Sequence, residues 1–162
     1  MDVTLLQIIK GCFQSDSNYA EKGLNTSFCV SQKYQREDFR KFIYMYSRVW
    51  AATINELSKC LRLYDRVEFP YFGYFIHDGP RVAFLPFTES DCRHSSVKFH
   101  KIQCSDIDNS MQLENGKAKS ILQQLSTHSA SLARQGGRIK LNLLIGSLFI
   151  TSKGSLFMYE FN

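Results

Sequence analysis

The sequence predicts an α+β fold of two tandem modules, each a helical pair packed on a small antiparallel β-sheet. Three observations carry this. From Phe39 to Tyr64 the apolar residues recur in steps of three and four, the spacing of one helix face. From Val67 to Ile76 the period changes to two, as on a pleated strand. The same succession of helix, glycine-containing strand and hairpin then returns, with Gly73 and Gly146 lying 73 residues apart. A period that long implies tandem domains rather than a solenoid. The boundaries it suggests are residues 1–89 and 90–162.

Composition agrees with a folded chain. Of 162 residues, 44% are hydrophobic and 22% charged, outside the disordered range. The 13 Phe and 8 Tyr suit half-buried strands. Modules of this size bury little core, so they are expected to lean on each other or on a partner. Cys12, Cys29, Cys60, Cys92 and Cys104 are scattered, with no CxxC pair, and read as free thiols of a reducing compartment. The start, Met1 to Leu5, lacks a signal peptide's basic and apolar regions. No apolar run is long enough to span a membrane. A cytoplasmic protein is expected, with Asn25-Thr26-Ser27 left unglycosylated.

In order along the chain, residues 3–13 place apolar side chains at helical spacing, with Gly11 weakening the last turn. Residues 14–35 are rich in Ser, Asn, Gln and Gly and read as a loop, with a short strand at Ser27 to Val30. The long helix follows. Glu37 and Asp38 suit its positive end, and Lys59 and Arg62 its negative end. Val67, Phe69, Tyr71 and Phe75 then share one face of an extended segment interrupted by Gly73, with Phe72, Tyr74 and Ile76 on the other. Both faces are apolar, so both are expected to be covered. Asp78-Gly79 signals a hairpin, with Arg81 to Phe87 as the returning strand.

Residues 88–96 form a polar linker, and Val97 to Ile102 alternates like a strand. Ser105, Asp106 and Asp108 resemble a helix start, and Asn115-Gly116 a break. A second helix runs from Lys117 to Arg134, with Ala118, Ile121, Leu122, Leu125 and Leu132 inward and Gly136-Gly137 ending it. Arg138 to Ile150 is a strand interrupted at Gly146. A turn at Ser152-Lys153-Gly154 leads to a last strand, Leu156 to Phe161.

The two halves align as Arg66-Val67-Glu68-Phe69 with Arg138-Ile139-Lys140-Leu141, and as Phe72-Gly73-Tyr74-Phe75 with Ile145-Gly146-Ser147-Leu148. A glycine inside an apolar strand marks a bulge or a close backbone approach. Helix, helix, strand with FG-x-F, then hairpin resembles the HU family of DNA-bending proteins. Val67 to Phe75, with Trp50 on the preceding helix, is similar to the paired HU-like domains of the coiled-coil domain-containing protein 81 family. The resemblance covers about residues 3–162, and the second half departs further, with Leu144-Ile145-Gly146 in place of the aromatic motif. It implies association with centrosomes and cilia, in the cytoskeleton. The expected function is therefore a structural scaffold of a ciliary, axonemal or centrosomal microtubule assembly, with tubulin or other axonemal proteins as partners.

The net charge of +5 favours an acidic partner surface. Arg40, Lys41, Tyr44, Arg48, Phe69 and Tyr71 are the candidate partner contacts, with Tyr46, Lys59 and Arg62 on the same helix. Glu37, Asp38, Glu56 and Asp65 dilute that basic face. The rival reading is an HU-type nucleic-acid-binding protein. Such proteins reach the minor groove with long basic arms tipped by an intercalating Pro. Pro80 sits in a hairpin too short for an arm, and the second hairpin offers only Lys153.

Little points to catalysis. Gly136-Gly137 lacks the Lys-Ser or Lys-Thr of a phosphate loop, no GxSxG elbow occurs, and the carboxylates are spread out. His128 reads as a surface or capping residue. No enzyme activity and no cofactor are expected. Cys92, His94, His100 and Cys104 sit within 13 residues and could each ligate zinc, but their spacing matches no standard finger.

Overall fold

The computed structural model describes residues 2–15, 28–87 and 98–160, and for 28–36 the backbone. Among these residues the fold is α+β, with four helices and two four-stranded mixed sheets. The first half supplies β1 (Asp2–Val3), α1 (Leu5–Ser15), α2 (Phe28–Leu61), β2 (Arg66–Phe69), β3 (Gly73–Asp78) and β4 (Arg81–Pro86). The second supplies β5 (Phe99–Lys101), α3 (Cys104–Met111), α4 (Lys117–Arg134), β6 (Arg138–Leu143), β7 (Gly146–Thr151) and β8 (Gly154–Tyr159). Each half thus runs strand, helix, helix and a three-stranded antiparallel meander.

The sheets are not purely antiparallel, because the halves exchange edge strands. The sheet orders are β1-β6-β7-β8 and β4-β3-β2-β5. β1 pairs in parallel with β6, matching Asp2 to Arg138 and Val3 to Ile139. β5 pairs in parallel with β2, matching Phe99 to Arg66 and Lys101 to Glu68. Each first strand is too short to stand alone and completes the sheet of the other half. α1 follows its strand across and packs on α4 and β6. The core is accordingly one cluster, holding Ile8 and Ile9 of α1, Trp50 and Leu57 of α2, Phe69 and Phe75, and Ile121, Leu125, Leu141 and Leu148 of the second half. Trp50 meets Phe69 and Phe72 edge-on, with ring centres 5.5 and 5.6 Å apart.

Two segments expected as single interrupted strands are hairpins. β2 and β3 reverse through Pro70, Tyr71 and Phe72, where the Phe72 amide donates to the Phe69 carbonyl at 3.2 Å. Tyr71 takes a left-handed φ of 69°, and Ser126 of α4 donates to its carbonyl at 2.6 Å. β6 and β7 reverse through Leu144 and Ile145. The first turn has a turn-forming residue in Pro70, at its second position, whereas Leu144-Ile145 carries none of the Asn, Asp or Gly that usually announces a reversal. The glycines that follow are sites of close backbone approach. A Cβ on Gly73 would overlap the Leu85 carbonyl oxygen of β4, and one on Gly146 the Met158 carbonyl oxygen of β8. Gly73 and Gly146 therefore open the middle antiparallel strand of their respective meanders.

The long helix also begins earlier than its apolar stripe. Helix already spans Phe28 to Val30, where a strand is expected, and continues through the anticipated loop to Leu61. No Gly or Pro interrupts it, and Gln32, Lys33, Gln35 and Arg36 are good helix formers. Glu37 and Asp38 consequently lie inside the helix rather than at its start, while Lys59 does occupy the last turn. α1 runs through Gly11, whose missing side chain makes room for the His128 ring of α4. His128 is thus a helix-contact residue. No helix among the described residues is long and apolar enough to cross a membrane.

Asp108 is a further correction. It does not start α3, whose first-turn acid is Asp106. It is buried, and its two carboxylate oxygens accept the Gly116 amide at 2.9 Å and the Ala118 amide at 2.7 Å. One helix thereby caps the next, satisfying amides at the start of α4 that have no partner within the helix. Asp108→Ala is expected to cost about 2 kcal/mol of unfolding free energy, since a charged cap and a buried acceptor vanish together. Asp108→Asn, which keeps one acceptor, is expected to recover part of it. Urea midpoints of the three proteins check this.

Candidate interaction surfaces

The residues singled out on α2 divide by exposure. Arg40, Lys41, Tyr44, Arg48, Lys59 and Arg62 are all exposed and lie along one side of α2 and the turn after it, with the uncharged Ala51 and Asn55 exposed between Arg48 and Lys59. Tyr44 is 62% exposed. The Arg48 guanidinium lies 5.4 Å from the Tyr44 ring centre, and its Nη1 donates to the Tyr44 hydroxyl at 3.4 Å. The diluting acids are placed unevenly. Glu37 and Asp65 are exposed, whereas Asp38 and Glu56 are half-buried, and Glu56 accepts from the Cys60 thiol at 3.6 Å. The stripe is more uniformly basic than the helix as a whole.

The other candidates belong to the interior. Phe69 is 1% exposed and packs against Trp50, Phe72 and Phe75. It is core, because the strand turns that face toward α2. Tyr71 is half-buried in the β2–β3 turn, with its carbonyl held by Ser126. Tyr46 is also buried, with its hydroxyl bonded to the Gln124 side chain of α4.

Of the zinc candidates, Cys92 and His94 lie outside the described residues. His100 stacks on the Tyr64 ring at 4.6 Å, and Cys104 is half-buried at the start of α3. Among the described residues no three His, Cys, Asp or Glu gather as a metal site. An open groove of about 670 Å³ runs between the β2–β3 turn and the starts of α3 and α4, lined by Pro70, Tyr71, Phe87, Lys101, Asp108 and Lys119.

Burial pushes the Cys12 and Cys60 thiols up from 9.0 to about 11, with the Glu56 carboxylate adding to the effect at Cys60. Burial also raises Cys104, followed by the Asp108 charge. Thiols held in this way are poor nucleophiles at neutral pH. Their folded pKa values exceed the unfolded one, so their stabilisation is complete below pH 9.0 and is lost as pH rises toward about 11. The urea midpoint is expected to fall across that window, and less steeply in a Cys12→Ala/Cys60→Ala variant than in the parent.

A surface absent from the sequence-based expectations lies on the outer faces of the sheets. Alternation sends Phe75, Phe84 and Phe157 inward, where their rings meet. It sends Arg66, Tyr74 and Phe99 outward on one sheet, and Arg138, Lys140 and Phe149 outward on the other. The Arg66 guanidinium lies 4.1 Å from the Tyr74 ring centre, and that of Arg138 lies 4.5 Å from Phe149. The signal available in the sequence is the arginine opening both aligned strands, followed by an aromatic on the facing strand, eight residues on at Tyr74 and eleven at Phe149. No family model matches the chain, and no curated protein matches it.

Proposed function

We propose that the chain is a non-enzymatic scaffold module that works by protein–protein contacts, with the α2 stripe as its principal docking face. The observation that carries this reading is the exposed row Arg40, Lys41, Tyr44 and Arg48, continued past Ala51 and Asn55 by Lys59 and Arg62. A basic row with a guanidinium laid on an exposed tyrosine suits an acidic protein surface, because Arg and Tyr supply much of the binding energy at interfaces. The repeated strand–helix–helix–meander order supports reading the halves, 1–89 and 90–162, as tandem HU-like modules. The resemblance to the coiled-coil domain-containing protein 81 family then points to a ciliary, axonemal or centrosomal microtubule assembly in the cytoplasm, with tubulin among the partners.

Two hairpin geometries weigh against the rival, an HU-type nucleic-acid binder. β3 and β4 are joined by Gly79-Pro80 and β7 and β8 by Ser152-Lys153, so neither hairpin extends into an arm. DNA binding, if any, is expected to be non-specific, in the range of about 10 to 100 μM at physiological salt.

The test pairs microtubule co-sedimentation with DNA anisotropy, comparing the parent with Arg40→Glu/Lys41→Glu/Arg48→Glu. These exposed changes are expected to leave the unfolding midpoint within about 0.5 kcal/mol of the parent. Microtubule affinity is expected to drop at least about tenfold. Submicromolar DNA binding at physiological salt, lost in the variant, would instead promote the rival, and equal sedimentation of parent and variant would remove the α2 face from the proposal.

A further inference from the structure

The exchanged strands provide an internal comparison between two arginines. Arg138 opens β6 and Arg66 opens β2, and each faces the edge strand supplied by the other half. Opposite Arg138 stands Asp2, whose Oδ1 lies 3.3 Å from the Arg138 Nε. Opposite Arg66 stands Phe99, whose ring centre is 5.8 Å from the guanidinium. Arg66 makes no ion pair among the described residues, and its buried Nε donates to no acceptor. The rings of Tyr74 and Phe99 attract the cation, but they offer nothing to its in-plane N–H donors.

The burial of the two arginines makes this arrangement informative. The Arg138 side chain is 57% exposed and has a carboxylate, whereas Arg66 is 5% exposed and has none among the described residues. A buried charge is costly unless paired, and water can serve an exposed one. Stability alone would place the carboxylate at Arg66.

We propose that Arg66, with Tyr74 and Phe99, is a receptor for a carboxylate of a partner protein, an Asp or Glu side chain reaching the guanidinium past the edge of the 48% exposed Phe99 ring. Asp2 on Arg138 is the internal template for that pair. A guanidinium takes a planar carboxylate through two parallel N–H donors. The surroundings disfavour nucleic acid. Lys101 is engaged by Glu68 at 3.5 Å, and the carboxylate of Asp65 accepts the Lys98 amide nearby. Among the described residues, the cations left without an ion pair here are Arg66 and the exposed Lys98, few for nucleic-acid binding, which neutralises several phosphates. The inference rests on the protein-contact reading for the class of partner, and it does not involve α2.

The test is an NMR titration of the full 15N-labelled chain, following the Nε–Hε signals of Arg66 and Arg138, with Arg66→Lys assigning the first. The probes are N-acetylglutamate N-methylamide, its glutamine counterpart and methyl phosphate, at constant ionic strength. The Arg66 signal is expected to shift saturably with the glutamate probe and to stay in place with glutamine, while Arg138, occupied by Asp2, responds less. Absence of a saturable shift at Arg66, equal responses at both arginines, or a larger response to methyl phosphate would each overturn the proposal. Loss of microtubule binding on changing α2 leaves this result untouched, so the two readings fail separately.

Discussion

Expressed separately, residues 1–89 and 90–162 are each expected to lack a cooperative unfolding transition, and a one-to-one mixture is expected to recover one. Cutting there leaves each meander without its parallel edge strand, since β1 belongs to the β6 sheet and β5 to the β2 sheet. It also strips α1 of its packing surface on α4, including the Cys12 contact with the Gln124 carbonyl at 3.7 Å. Phe157 leaves Phe75, 5.2 Å away, and Ser126 leaves the Tyr71 carbonyl. Chains of this size hold only a few kcal/mol in a complete core, so one divided between halves leaves neither stable. Circular dichroism melts of each half and of the mixture decide the matter. A cooperative transition in either isolated half would show that the exchanged strands are dispensable.

Gly146→Ala is expected to lower stability by about 3 kcal/mol. The new Cβ would meet the Met158 backbone carbonyl and the Phe157 ring, and the residue sits at φ 154°. Backbone hydrogen-bonded into β8 cannot move aside as a flexible side chain does. Gly73→Ala is expected to match it, through the Leu85 carbonyl and the Phe84 ring. Gly154→Ala is the contrast, at φ 138° but with open space around it, and about 1 kcal/mol is expected there. Melting temperatures should fall by about 10 °C for Gly146→Ala and about 3 °C for Gly154→Ala. Equal effects at the two positions would mean that backbone conformation, and not the close approach of β8, requires glycine at 146.

The α+β class, the inward faces of α2 and α4 and the correspondence of Gly73 with Gly146 were legible in the sequence. All are expressed through periodicity, which depends on neighbours three or four positions apart in a helix and two apart in a strand. The basic stripe of α2 was legible for the same reason. The β2–β3 and β6–β7 reversals were not, because Pro70 lies within an apolar run that reads as continuous strand and Leu144-Ile145 holds no turn-forming residue. Phe69 was misplaced as a contact for a related reason, since alternation names two faces without saying which one a helix will cover.

What the sequence determined by itself is the local order of helices and strands, and the repeat that runs through it. Tertiary structure alone decided that each half finishes the other's sheet, that Asp108 caps α4 from a neighbouring helix, and that Arg66 is buried beside Phe99 while Arg138 meets Asp2. These are contacts between residues far apart along the chain. The two-residue β1 carries no pattern of its own, and β5, though marked by alternation, does not name its partner, which is chosen by the sheet edge the folded helices leave within reach.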